Sequence, residues 1–348
     1  RGLGDVYKRQ PMDRRLALAR GETLPEEAQG AALFADISGF TPLTEALTVE
    51  LGPKRGAEEL TVHLNQVYDA LIAELHRYRG SVISFSGDAI TCWLDGDDGR
   101  RATAAALAMQ AAMAQFAEVR TLSGRVVSLA MKVAVASGSV RRFLVGDPTY
   151  QRIDTMAGET LEKLAAGEHQ IGRGEIALDE GTANRLSEAL RIKEWRTDEE
   201  MGWRFAVVEA LTLDVPPTPW PDHREIALDD ETKAAFLLPR VYDRLSSGLG
   251  EFLAEIRPVY SLFLSFSGID YDADPEAPEK LDAFICEVQR IFTRLDGSIT
   301  SLTIGDKGSY FSVAFGAPVA HEDDAVRAAA TALALHDLAN GLPYLEAV

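Results

Sequence analysis

The feature that most constrains this chain is that it starts again. Arg101-Ala-Thr-Ala-Ala-Ala-Leu-Ala108 is echoed by Arg327-Ala-Ala-Ala-Thr-Ala-Leu-Ala334, and Gly80-Ser81 by Gly297-Ser298. A hairpin signal at Gly87-Asp88 is matched by one at Gly305-Asp-Lys-Gly308. Such self-similarity means that one structural unit is used twice, so an account of the first copy is also an account of the second. The second copy reads as ending about halfway through.

In the first copy, Ala31 to Ala35 is a short run of small and apolar residues that suits a strand covered on both faces. Asp36 breaks the run where the strand should emerge, and Ile37-Ser-Gly-Phe-Thr41 turns the chain into a helix. Pro42 to Leu51 reads as helix and breaks at Gly52-Pro53. A longer helix from about Arg55 to Tyr78 carries Leu60, Leu64, Val67, Leu71 and Leu75 on one face, and Gly80 ends it. Ser81–Ser86 and Ala89–Leu94 form a hairpin, and Asp97-Asp98 opens an Ala-rich helix through about Ala117. Val126 to Ala136 and Arg141 to Val145 read as two more strands. The order strand–helix–strand–strand–helix–strand predicts an α+β sandwich of the ferredoxin-like βαββαβ type. It is expected once in full and once truncated, with Val259–Phe266 and Pro278–Leu295 opening the second copy.

The organisation expected is a non-native scar over residues 1–10, a lead-in over 11–29, a first unit over 30–211, a linker with helices over 212–257 and a second unit over 258–348. The linker contains Val215-Pro-Pro-Thr-Pro-Trp-Pro221. A formal charge of −19 argues against a nucleic-acid partner, because a phosphate backbone needs clustered Lys and Arg. An acidic chain still binds a nucleotide when metal ions bridge the like charges. No apolar stretch is long enough to span a membrane, and no signal peptide is evident. Cys92 and Cys286 are far apart and read as buried free thiols of a reducing cytoplasm.

Two carboxylates stand out in the first copy: Asp36 at the end of its strand and Asp88 in the hairpin turn. Adjacent central strands would bring them together. With a backbone carbonyl, that of Ile37, they suit a pair of Mg2+ or Mn2+ ions on a triphosphate. The amides of Ser38, Gly39, Phe40 and Thr41 lie where a helix N-terminus receives phosphate. The alternatives are an Asp36 that only caps the next helix and a Gly-Asp turn that needs no metal. The six histidines (His63, His76, His169, His223, His321, His336) show no ligand spacing. Arg141-Arg142 reads as a solvated strand end rather than a phosphate contact. Gly172-Arg-Gly-Glu175 is too short and misplaced for a dinucleotide fingerprint.

Phe34-Ala-Asp-Ile-Ser-Gly-Phe-Thr41 and Phe85-Ser-Gly-Asp-Ala89 resemble the two metal-site motifs of the class III nucleotide cyclases. The tandem layout, with Leu238-Pro-Arg240 before the second copy, is similar to soluble adenylyl cyclases of the bicarbonate-responsive type and their bacterial relatives. This resemblance implies conversion of ATP to cyclic AMP and pyrophosphate with two metal ions at the interface of the paired units. Ser265 and Ser309 stand in the second copy where Asp36 and Asp88 stand in the first. Lys307 matches the family lysine that reads the adenine edge, and a lysine donor suits the N1 acceptor of adenine; the alternative is a solvated turn lysine. ATP is therefore the expected substrate; guanylyl cyclase and a nucleotide-binding pseudocyclase module are the other readings. Met156 to Ala165 lacks the family's Asn-x-x-x-Arg, so the second unit should provide it, beyond Val348. The resemblance thus predicts an incomplete site, little activity from this chain alone, and a continuation into an ATPase and helical repeats. Ser84 replaces the lysine of bicarbonate-responsive relatives, so bicarbonate control is not expected.

Overall fold

A computed structural model describes residues 11–222, 226, 228–247, 258–305 and 308–346. Helix α1 (Met12–Ala19) precedes strand β1 (Glu27–Ser38), which runs through Gly39 into α2 (Phe40–Arg77). The two segments of α2 meet at Gly52, whose backbone leaves the helical region ahead of Pro53. The hairpin β2 (Ser81–Ser86) and β3 (Ala89–Asp95) follows, then α3 (Arg100–Met113). A small ribbon of β4 (Val119–Arg120) and β5 (Val126–Val127) leads to the long β6 (Ala130–Val145). The first unit closes with β7 (Ile153–Ala157), α4 (Glu159–His169), β8 (Ile176–Asp179), α5 (Glu180–Arg185), β9 (Leu190–Thr197) and β10 (Arg204–Leu211).

The strands form one sheet in the order β2-β3-β1-β6-β8-β10-β9, with β7 paired to β6. The portion β2-β3-β1-β6 is antiparallel throughout and has the ferredoxin-like order. Strand β1 lies at its centre, and its side chains alternate between two cores. Ala31, Leu33, Ala35 and Ile37 pack with Leu43, Leu47, Val67, Leu71, Leu75 and Met109 of α2 and α3. Ala28 and Ala32 pack on the other face with Trp93, Ala134, Ala136, Leu161 and Leu164. A strand covered on both sides explains a run with no polar residue until Asp36.

One expectation is corrected. The two strands read at Val126–Ala136 and Arg141–Val145 are, from Ala130 onward, the single strand β6. Ser137-Gly138-Ser139 has poor strand propensity, but β1 pairs with β6 continuously from Ser38↔Ala130 to Glu27↔Arg141. Pairing along a whole central strand outweighs three weak residues. Gly30 sits opposite Gly138 there, and a Cβ at Gly30 would stand 2.5 Å from the Trp93 ring. The missing side chain is what lets Trp93 lie over the strand.

The proline-rich segment after β10 returns over the end of α2. Thr218 N–H donates to the Arg77 carbonyl (2.8 Å), Trp220 Nε1 donates to the Gly80 carbonyl (2.8 Å), and Arg79 lies 4.8 Å over the Trp220 ring. Helices α6 (Asp230–Ala234) and α7 (Pro239–Ser246) follow. The second unit comprises β11 (Tyr260–Phe266), α8 (Ala277–Leu295), β12 (Ser298–Gly305), β13 (Gly308–Phe315) and α9 (Asp324–Asn340). Its sheet order, β11-β13-β12, repeats β1-β3-β2 of the first unit.

The ladders fix the correspondence between the copies. Asp36 pairs with Ala89 across β1 and β3; Ser265 pairs with Tyr310 across β11 and β13. The residue before each partner is Asp88 in one copy and Ser309 in the other. After Ser86↔Ala89 the first hairpin turns at once, whereas the second continues through Ile304↔Ser309 and Gly305↔Gly308. The units are packed together as well as tethered. Phe143, Val145 and Ala157 of the first join Phe284, Val288, Phe292 and Phe311 of the second in one core.

Candidate active site

Strand β1 delivers Asp36 at its C-terminal end, and the β2–β3 turn delivers Asp88 beside it. The Ile37 N–H donates to the Asp88 carbonyl (3.3 Å), which fastens the turn to the end of β1. Burial raises the Asp36 carboxyl above the ordinary carboxylate value, and repulsion from the Asp88 charge raises it further. A carboxyl raised by a neighbouring carboxylate is relieved by a cation bound beside it.

The turn that follows is built for a close approach. Gly39 has φ 110°, in the left-handed region, and a Cβ there would run into the Ser128 carbonyl and the Leu129 side chain. Gly39 is the N-cap of α2, no side chain caps that end, and no acidic residue lies in its first turn. The amides of the first turn therefore have no competing anion from their own helix, as an incoming phosphate requires. Ser38 and Gly39 are half-buried, Phe40 is buried and Thr41 is exposed. Lys307 lies outside the described residues.

Two basic groups that the sequence reading passed over meet this turn. Lys132 is paired with Asp36 across β1 and β6, and its Nζ lies 3.5 Å from Asp36 Oδ2. The same ammonium forms an ion pair with Glu168 of α4. Burial alone would lower the Lys132 pKa, but its bonds to Glu168 and Asp36 more than offset that and hold it above the ordinary lysine value. The signal was present as a lone lysine inside Met131-Lys132-Val133, yet only the β1–β6 register puts it opposite Asp36. Arg173, in the loop between α4 and β8, donates from Nε to Ser38 Oγ (2.9 Å).

The residues present fit a divalent cation. Asp36 and Asp88 are hard oxygen donors, and the ammonium of Lys132 already marks a place for positive charge beside Asp36. Among the described residues no three His, Cys, Asp or Glu side chains gather into a metal cage. An ion at Asp36 and Asp88 would take its other ligands from water and substrate phosphate, as Mg2+ ordinarily does.

At the corresponding place in the second unit the turn is kept and both carboxylates are replaced by serine. Gly268 has φ 106°, close to Gly39, and Phe266-Ser-Gly-Ile269 follows Ser265 as Ile37-Ser-Gly-Phe40 follows Asp36. Ser309 accepts or donates a hydrogen bond with Tyr271 Oη (2.8 Å). A cavity of about 250 Å³ lies there between residues 266–272, Ser309 and the first unit's Gly158 and Glu162.

The rat adenylate cyclase type 10 is 20% identical to this chain over 323 residues, an alignment that covers 83% of the chain and 19% of the relative. The chain is thus similar in sequence to a class III nucleotide cyclase over most of its length. It spans about a fifth of the length of the curated relatives it matches. Solved cyclase domains align with about half of the chain. The guanylate cyclase domain of RhGC from Catenaria anguillulae, in complex with GTP, is 17% identical, with a TM-score of 0.43 covering 54% of this chain and all of that one. The adenylyl cyclase CyaB from P. aeruginosa is 20% identical, with a TM-score of 0.42 covering 53% and 95%. No family model matches the chain. Among the described residues no helix is long and apolar enough to cross a membrane.

The expected solvated strand end at Arg141-Arg142 is corrected. Arg142 is buried, paired with Asp13 of α1 and with Asp154 of β7, and Arg14 adds a 2.7 Å bond to the same Asp154. Arg141 reaches into the second unit and donates to the carbonyls of Tyr271 (3.2 Å) and Asp274 (2.6 Å). Neither arginine is free for phosphate. One anchors the N-terminal helix and the other the partner unit.

Proposed function

We propose that this chain is the metal- and phosphate-bearing part of an adenylate cyclase that converts ATP to 3′,5′-cyclic AMP and pyrophosphate. The observation that carries the reading is the convergence of Asp36 and Asp88 beside the Gly39 turn in one unit, against Ser265 and Ser309 in the other. Two Mg2+ or Mn2+ ions, when bound, would lower the pKa of the attacking ribose hydroxyl and neutralise the departing phosphates. Asp36, Asp88 and the Ile37 carbonyl would hold them. The amides of Ser38 to Thr41 would seat the phosphates at the start of α2, and Lys132 would add a positive charge once a metal draws Asp36 away. The ribose 3′-oxygen then bonds to the α-phosphorus as the bond to pyrophosphate breaks, a reaction governed by alignment and charge.

The second unit would contribute the base-reading side, with Lys307 directed to adenine, and the ribose-holding residues would lie beyond Val348. On this reading the present chain alone turns over ATP slowly or not at all. The test is a longer protein that completes the second unit, assayed for Mg2+- or Mn2+-dependent cyclic AMP and cyclic GMP formation beside Asp36→Ala. Cyclic AMP lost in the variant supports the reading. Cyclic GMP as the main product would replace the substrate assignment, and nucleotide binding without either product would favour a regulatory module.

A further inference from the structure

We infer that Arg173 is a phosphate-contacting residue of the first unit, gripping the polyphosphate of a nucleotide seated at the Ser38–Thr41 turn. This rests on the reading of that turn as a phosphate site. The loop that carries Arg173 is firmly placed. Gly174 N–H donates to the Met131 carbonyl (2.8 Å), and Val133 N–H donates to the Glu175 carbonyl (3.0 Å). These bonds tie the loop to the same stretch of β6 that carries Lys132.

The acid nearest to Arg173 in sequence, Glu175, is already engaged. Glu175 pairs with both terminal nitrogens of Arg196 (2.8 and 3.0 Å) and with Lys193 (3.0 Å), and it accepts from the Gly172 N–H. The Arg196 bonds, first, and that backbone bond hold its carboxyl at about 2, so it stays ionised and occupied. Among the described residues Arg173 makes no ion pair. Its guanidinium is exposed and is oriented by one bond, from Nε to Ser38 Oγ (2.9 Å). Ser38 Oγ in turn faces the Ala130 carbonyl at 3.3 Å. A guanidinium held through Nε keeps both terminal nitrogens for an anion, the planar fork that suits phosphate oxygens.

The experiment titrates inorganic pyrophosphate, with Mn2+ present, into the chain as it stands and into Arg173→Ala, Arg173→Lys, Ser38→Ala and Asp36→Ala. Calorimetry reads the affinity, and a thermal melt reads the fold. The phosphate half of the proposed site lies wholly in the first unit, so no residue beyond the chain is needed. Arg173→Ala should weaken pyrophosphate five- to fiftyfold, as expected for one charge-assisted pair. Arg173→Lys should recover part of the loss, and the melting temperature should stay within about 2 °C, as is usual for an exposed side chain. Ser38→Ala should cost less than Arg173→Ala. Equal affinity in wild type and Arg173→Ala, with binding lost in Asp36→Ala, would overturn the role of Arg173 and leave the phosphate turn standing. Equal losses in Ser38→Ala and Arg173→Ala would reduce the contact to a brace for β1. No pyrophosphate binding by the wild type would remove the turn and Arg173 together.

Discussion

The Lys132 ammonium holds the carboxylate that the proposed function assigns to a metal, so on that proposal replacing it with methionine should strengthen metal binding by the first unit before any nucleotide arrives. The ammonium lies 3.5 Å from Asp36 Oδ2, and the two side chains are 25% and 26% exposed. At that distance a unit charge pair is worth ~1.2 kcal/mol in bulk water and ~5 kcal/mol at an effective dielectric of 20. Partial exposure, and the share of the ammonium taken by Glu168, favour the lower part of that range, about 1–2 kcal/mol. Removing the competitor should therefore tighten Mn2+ roughly five- to thirtyfold. Loss of Lys132 also leaves Glu168 without its ammonium partner, which acts in the same direction. Isothermal titration of Mn2+ into wild type, K132M and D36N at low ionic strength reads this directly. With pyrophosphate added the order should reverse, since K132M then lacks a cation that faces phosphate. A K132M protein that binds Mn2+ no more tightly than wild type would refute the reasoning, because the ammonium would then not be competing for Asp36.

Three further outcomes follow from the same geometry. Arg142→Met leaves Asp13 and Asp154 buried without their shared cation, a loss of about 3–5 kcal/mol; urea unfolding should show it, with earlier proteolytic cutting between α1 and β1. Glu175→Gln should lower the melting temperature at pH 7 by a few degrees, about 1 kcal/mol after allowance for solvent screening. A carboxyl held at about 2 stabilises the fold above its ordinary value near 4.5 and stops doing so as pH falls through about 2, so wild type and variant should converge in a series of melts toward pH 2. Gly39→Ala should destabilise by about 1–3 kcal/mol, because φ 110° and the Ser128 carbonyl both oppose a Cβ; denaturation and pyrophosphate titration together separate the loss of fold from the loss of binding.

What was legible in the sequence was what local patterns encode. The β1–turn–α2 unit is written in consecutive residues, as are the Gly87-Asp88 hairpin and the breaks at Gly52-Pro53 and Gly80. The repeat carried the ferredoxin-like order and the Asp-to-Ser correspondence, which the ladders reproduce. What stayed hidden depends on partners distant in the chain. Lys132 acquires its place only from the β1–β6 register, 96 residues from Asp36 to Lys132. Arg173 acquires its place from a loop tied to β6. Arg142 looks like a surface residue until α1 covers it, and the proline-rich segment looks free until Trp220 finds the Gly80 carbonyl. Periodicity shows which face of an element is apolar, but the charged residues at element ends are decided by what packs over them.

The second unit shows why its lost carboxylates are not a simple substitution that could be reversed. Phe266 occupies the position of Ile37 and is fully buried, stacked on Phe311 with centroids 5.2 Å apart and tilted against Phe284 at 4.9 Å. Ser309, at the Asp88 position, is buried and bonded to Tyr271, whose ring meets Phe143 of the first unit at 5.8 Å. Arg141 of the first unit then holds the backbone carbonyl of that same Tyr271. The residues at the strand ends that bear charge in one copy thus serve in the other to join the two units into a common core. A carboxylate at Ser309 would sit buried at that junction with a phenol as its neighbour, so Ser309→Asp should loosen the pairing of the units rather than create a second metal site. The asymmetry of the strand ends and the cohesion of the pair are therefore one arrangement: the second copy carries serine instead of aspartate at the place where it grips the first.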